Sequence, residues 1–131
     1  MKLRNIYNYT QTTNEDFEVL GIKIQNISLF SVYVGQDSIE ENTLNHLFDL
    51  GNKVIIIGDM NSRHKNWNCE ANNYNGIKLN KFMSNNLRYV LLAPDDPTYF
   101  PSNPNQNQSI IDLALIKNIT KEHNDKIGAE Y

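Results

Sequence analysis

The sequence predicts an α/β layered domain. Three observations carry that reading: short β-branched runs bounded by turn residues, two amphipathic stretches at helical spacing between them, and a length of 131 residues that suits one domain. Read along the chain, the order is strand, strand, helix, strand, helix, strand, strand.

The opening, residues 1–16, is rich in Asn and Thr with scattered Ile6, Tyr7 and Tyr9, and its pattern assigns it to no element. From Val19 to Ile24 the residues alternate, with Leu20, Ile22 and Ile24 on one face and Lys23 on the other. Gln25-Asn26 is a two-residue turn, and Ile27 to Val34 is the second strand of that hairpin. This strand is apolar on both faces (Ile27, Leu29 and Tyr33 against Phe30, Val32 and Val34), which predicts a position in the middle of a layered structure. Ser38 and Glu41 have the spacing of a capping box, and Leu44, Leu47 and Phe48 then recur at helical intervals up to Gly51.

Lys53 to Gly58 is a β-branched run bounded by glycines, the pattern of a strand buried on both faces. A second helix is predicted over Gly76 to Asn85, with Leu79, Phe82 and Met83 on one face and Asn75 as its cap. Val90 to Ala93 and Ile110 to Ile116 complete the strands, separated by the polar loop Ser102 to Ser109. The charged stretch 120–131 has no period and reads as a tail, leaving 17–119 as the domain.

Composition excludes several classes. The chain is 40% apolar and 21% charged with a net charge of -3, so disorder through charge excess is not expected. Its apolar runs, such as Val54 to Ile57, are far too short to span a bilayer. Lys2 and Arg4 are followed by no apolar stretch, so no secretory signal is expected. A single cysteine, Cys69, points to a reducing compartment, cytoplasmic or nuclear. With a pI near 5.5 the chain has no broad basic footprint, and any role with nucleic acid must rest on a local site.

The sharpest chemical feature is Gly58-Asp59-Met60-Asn61, directly after the β-branched run. An α/β fold presents reacting groups where such a strand ends, because the chain there turns outward from a rigid support. A carboxylate and an amide two residues apart suit phosphodiester hydrolysis with a divalent metal: Asp59 orients or activates water, and Asn61 holds the carboxylate or a phosphate oxygen. The plainer alternative is an Asx turn closing a strand.

Ser109-Ile110-Ile111-Asp112 places a second carboxylate at the start of an apolar strand, where it can orient a histidine or be satisfied by backbone amides. Tyr33 ends its strand and can aim its hydroxyl at a phosphate, or fill the core with a surfaced tip. Arg63, His64 and Trp67 follow the GDMN turn; the cations can contact phosphates and Trp67 can stack on a base or anchor its loop. His64 and Cys69 lack a second ligand pair, so a structural zinc is not expected.

Together these pieces resemble the endonuclease/exonuclease/phosphatase superfamily, and most of all the apurinic-type endonuclease domain of jockey-like non-LTR retrotransposons. The matching run passes through Tyr33, continues as IIIGDMNSRHKNWNCEANNYNGIKLNKF and APDDPTYF, and ends in SIIDLAL, about residues 17 to 119. The resemblance implies a partial four-layer sandwich, two packed β-sheets flanked by helices. It also implies hydrolysis of DNA with Mg²⁺ or Mn²⁺, nicking a target duplex beside a reverse transcriptase domain.

Carried over by position, Asp59 matches the carboxylate that activates water and, weakly, a metal ligand. Asn61 matches the amide that holds the site and contacts the scissile phosphate, and Tyr33 the phenol that hydrogen-bonds it. Asp112 matches the buttress of a catalytic histidine. Arg63, His64, Trp67 and Ser109 are the candidate substrate contacts beside that set. The family's main metal-binding Glu and its closing Ser-Asp-His strand have no counterpart here, and His123 lacks the local pattern, so the domain reads as truncated at both ends. Impaired activity is the expectation, with a non-catalytic remnant that keeps at most weak nucleic-acid or protein binding as the alternative. A phosphatase or small-molecule phosphodiesterase of the same superfamily is a third reading.

Overall fold

The computed structural model describes residues 9–12 and 17–119. The expected tail, His123 within it, lies outside the described residues, as does most of the unassigned opening. Four residues of that opening form a strand, β1 (Tyr9–Thr12), which no side-chain pattern had announced. Five more follow: β2 (Phe17–Ile24), β3 (Ile27–Val34), β4 (Lys53–Asp59), β5 (Tyr89–Leu92) and β6 (Asp112–Lys117). Helix α1 (Glu41–Asp49) connects β3 to β4, and α2 (Tyr74–Asn85) precedes β5. The six strands make one mixed sheet in the order β1-β2-β3-β4-β6-β5. Only the β3–β4 pair is parallel, as a helical crossover requires. Among the described residues there is one sheet and not two.

Both helices lie on the same face of that sheet. Phe17 and Val19 of β2, Phe30, Val32 and Val34 of β3, Val54 and Ile56 of β4, and Leu113 and Leu115 of β6 are buried there with Leu44, Leu47, Phe48, Leu79 and Phe82 of the helices. Rings close the layer beside β5, where Phe48 stacks on Tyr89 with centroids 3.8 Å apart and planes 10° from parallel.

The opposite face is apolar but open: Leu20 is 53% exposed, Ile57 46% and Leu92 50%. This corrects the expectation for the two central strands. Strands β3 and β4 are central in the sheet, yet each is buried on one face only. In β2, the alternating set Leu20, Ile22 and Ile24 turns away from the helices, because Phe17 and Val19 occupy the covered side.

Local chemistry explains the element ends. The Gln25-Asn26 turn closes β2 on β3 as its sequence predicts, with Gln25 in the left-handed region at φ 55°. The expected capping box does not form. The Ser38 hydroxyl instead donates to the Gln36 carbonyl at 2.9 Å, and α1 is capped by the backbone of Glu40 without a side-chain bond. At its other end, the buried Lys117 ammonium donates to the carbonyls of Phe48 (2.7 Å) and Gly51 (2.9 Å), satisfying groups that the helix leaves unpaired. Helix α2 starts two residues earlier than expected, capped by Asn73, whose side chain accepts from Gly76 N at 2.7 Å. Asn75, the expected cap, is buried and used elsewhere. Strand β6 starts at Asp112, two residues later than its apolar run. No helix among the described residues is long and apolar enough to cross a membrane.

Candidate active site

Three strands bring the predicted groups into one row. In register, Tyr33 of β3 lies opposite Asp59 of β4, and Asp59 lies opposite Asp112 of β6. Directly opposed residues project to the same side of a sheet, with Cβ atoms roughly 5 Å apart. The row therefore stands at one end of the open face. It extends by one more place to the exposed Glu18 of β2, opposite Tyr33, a carboxylate that the sequence reading did not single out.

Gly58 makes this possible. Its φ is +149°, and a Cβ there would lie 2.0 Å from the Val32 carbonyl oxygen. A side chain at position 58 would push β4 away from β3 immediately before the reacting carboxylate.

Beyond the row the chain turns sharply. Asn61 sits in the left-handed region at φ 43°, and its backbone N–H donates to Asp59 Oδ1 at 3.0 Å. Its side-chain amide donates to the Val34 carbonyl at 2.6 Å, so Asn61 ties the end of β4 to the end of β3. Asp59 has a pKa raised above its ordinary value. Burial is the main cause, the Asn61 N–H opposes it, the Asp112 carboxylate adds to it and Arg63 lowers it.

Two asparagines that the sequence reading took for at most a cap hold this turn. Asn73 Oδ1 accepts from Arg63 N (2.8 Å) as well as from Gly76 N, while its Nδ2 donates to the Asn61 carbonyl at 2.8 Å. Asn75 is 1% exposed. Its Oδ1 accepts from Ile39 N (3.1 Å) and its Nδ2 donates to Gly35 O (2.9 Å), with longer contacts to Met60 O and Asn61 O. Gly76 is needed beside them, because a Cβ would lie 1.7 Å from the Arg63 carbonyl oxygen. The signal in the sequence was three asparagines in five residues ahead of a glycine, each able to donate and accept at once.

Thr98 plays the matching part for β6: its hydroxyl accepts from the backbone N–H of Ile111 (3.1 Å) and of Asp112 (3.2 Å). This is the physical content of the Pro-Thr step in the sequence.

A cavity of about 490 Å³ is lined by Tyr33, Asp59, Asn61, Arg63, Gln36 and Tyr99, with Gly35 and Ile111. Asp112 lines a separate apolar groove with Ile57 and Leu92, on the other side of the row from Asn61. Three of the four expected catalytic groups thus share a wall, and the fourth reaches them through its register with Asp59.

The expected substrate contacts divide. Arg63 lines the cavity, while Ser109 lies outside it and accepts from Arg63 Nε at 3.0 Å. Trp67 does not reach the cavity: it is 4% exposed and donates its indole N–H to the Ser62 carbonyl at 2.9 Å, so it anchors the loop. His64 caps the short 3-10 turn Lys65–Trp67, its Nδ1 accepting from Asn66 N at 3.0 Å, with its ring 5.2 Å from that of Trp67. Trp67 is structural in this loop, because the turn that follows GDMN folds back on its own core, and the half-buried His64 helps to close that turn.

With this geometry in place, comparison with known proteins identifies the class. A sequence-family model described as endonuclease-reverse transcriptase matches residues 27–130. The chain therefore belongs to the endonuclease-reverse transcriptase family, whose endonuclease members are hydrolases. Among solved structures, the endonuclease domain of TRAS1, a telomere-specific non-LTR retrotransposon, superposes with a TM-score of 0.61 at 20% identity, covering 86% of this chain and 55% of that one. At that identity the likeness concerns the fold, and this chain spans about half the length of its structural neighbour. No curated protein matches the sequence.

Proposed function

We propose that the chain acts on DNA as the target-nicking endonuclease module of a non-LTR retrotransposon, working beside a reverse transcriptase domain in the nucleus or cytoplasm. The observation that carries this reading is the in-register row of Tyr33, Asp59 and Asp112, with the Asn61 N–H on Asp59.

In this reading the scissile phosphate sits over the 490 Å³ cavity. Asp59, its proton affinity raised by burial, accepts the proton of the attacking water. The water oxygen bonds to phosphorus and the bond to the 3′ oxygen breaks, leaving a 3′ hydroxyl for priming. Tyr33 donates its phenol proton to a phosphate oxygen. Asn61 keeps Asp59 aimed through its backbone N–H.

The two carboxylates stand on neighbouring strands, with Asp112 adding to the cost of ionising Asp59, and such a pair suits a hard divalent cation that takes one or two carboxylates and completes its shell with water and phosphate oxygens. Asp59, with Asp112 beside it, would hold Mg²⁺ or Mn²⁺, which supplies charge neutralisation at the phosphate.

The exposed apolar face supports a second sheet packing there, giving the two-sheet sandwich. Among the described residues no histidine bonds to Asp112, so in this chain the leaving 3′ oxygen takes its proton from solvent water. That observation also favours the second reading, in which this chain by itself is slow or inert, since residues that act as a unit lose rate together.

The test is nicking of supercoiled plasmid in Mg²⁺ by the wild-type chain and by Asp59→Ala. Nicking that disappears in the variant supports the assignment, and equal nicking by both removes it. Stoichiometric Mn²⁺ binding at one site, measured by calorimetry, counts against an inert remnant.

A further inference from the structure

A second cavity, about 400 Å³, adjoins the first and shares Gln36, Arg63 and Tyr99 with it. Arg63 stands at the waist between them. Its Nε donates to the buried Ser109 hydroxyl at 3.0 Å, and its guanidinium carbon lies 5.3 Å from the centre of the Tyr99 ring. Its backbone is held on both sides, N–H to Asn73 Oδ1 at 2.8 Å and carbonyl accepting from Asn73 N at 3.0 Å. The fork is therefore fixed in place, and its two terminal amino groups make no hydrogen bond to the described residues, although the Asp59 carboxylate lies within electrostatic reach of the guanidinium. A pre-set guanidinium with four N–H donors to spare, between two cavities, is a phosphate clamp by its chemistry.

The far cavity differs from the near one. Its wall carries the amides of Asn105, Gln106, Asn107 and Gln108, together with Glu70. Amide side chains donate and accept, so they satisfy the edge of any nucleobase. The Glu70 carboxylate repels phosphate, so a bound strand has its phosphate at Arg63 and its base toward the amides.

We propose that the two cavities form one track, in which Arg63 grips the phosphate next to the scissile one and the far cavity takes the nucleoside attached to it. This rests on the nuclease reading and adds to it a second nucleotide site. The chain carries a net charge of -3, so binding draws on few cations and each one weighs heavily in its salt dependence.

The experiment is equilibrium binding of a fluorescein-labelled duplex oligonucleotide of mixed sequence to the 131-residue chain, in EDTA, by anisotropy over a range of salt concentrations. Arg63→Ala is expected to weaken binding about tenfold and to reduce the slope of log affinity against log salt by about 1. Arg63→Lys keeps the slope but binds more weakly than wild type, because an ammonium cannot use the fork. Ala71→Trp, an exposed position on the far wall, fills the second cavity and is expected to weaken binding several-fold with the slope unchanged. Thermal melts establish that each variant is folded; should Arg63→Ala unfold, Arg63→Lys and Ala71→Trp decide. Wild-type binding that none of the variants alters overturns the track and leaves the nuclease reading standing. A wild-type chain that binds no duplex at all overturns both.

Discussion

The two faces of this sheet have nearly the same hydrophobic content and opposite fates. On one, Val54, Ile56, Leu113 and Leu115 vanish under two helices; on the other, Ile57, Leu92 and Leu20 face outward from the same sheet. Apolar content alone therefore does not tell which side of a strand holds the fold together. What decides is whether a covering layer is connected to it, and here α1 and α2 both return to the same side. The open face ends in the Tyr33–Asp59–Asp112 row, so the chemistry lies on the less supported side.

The largest expected contrast comes from matched truncations on β6 and β4. Leu115→Ala, fully buried, should cost about 3–5 kcal/mol in urea unfolding, while Ile57→Ala should cost less than about 1 kcal/mol. Comparable losses would mean that the open face is as tightly packed as the covered one.

Next in size is Asn75→Ala. It orphans Ile39 N–H and the Gly35 carbonyl inside the fold, and should lower stability by about 2 kcal/mol. Asn75→Asp, which keeps the acceptor and loses the donor, should cost less if the Ile39 bond matters more than the Gly35 bond; calorimetric melts separate the two.

Ile57→Lys is expected to be close to neutral in stability, within about 0.5 kcal/mol, and to reduce self-association in sedimentation runs. Marked unfolding would show that something covers the face.

The smallest effect carries the opposite sign. Because the folded-state pKa of Asp59 is raised, its ionised form weighs against folding once the pH exceeds the unfolded value of 3.8. Asp59→Asn should therefore melt slightly higher than wild type at pH 7, and the gain should vanish as the pH falls below that value, while nicking is lost.

Much of this was legible in residues whose chemistry is local. The Gln25-Asn26 turn set the hairpin bounds, and the Gly-Asp-Met-Asn run after Ile57 marked the candidate site, while the close approach of Gly58 to Val32 came only from the strand pairing. The α1 start misled because Ser38 spends its hydroxyl on its own turn, a choice between two local partners that spacing cannot decide. Asn73 and Asn75 both have capping chemistry, and only the neighbouring loop determines which one caps and which one bridges. The faces of β2 were ambiguous because Phe17 and Val19 compete with Leu20, Ile22 and Ile24 for the interior, and the outcome depends on helices far along the chain. Trp67 illustrates the same limit from the other side: an aromatic beside a reactive turn is equally suited to stacking and to anchoring, and the carbonyl of Ser62 settled it.

The strand alignment around β4 has one further implication. Its neighbours run in opposite senses, β3 parallel and β6 antiparallel, and each contributes one group to the site at a matched rung. Sliding either neighbour by a single residue would remove one partner from the trio and bring up a side chain aimed at the helices. The mutual aim of these groups is thus held by the most central ladders of the molecule. Heat or denaturant should scatter them only when the whole sheet gives way, even though they stand on its unguarded side.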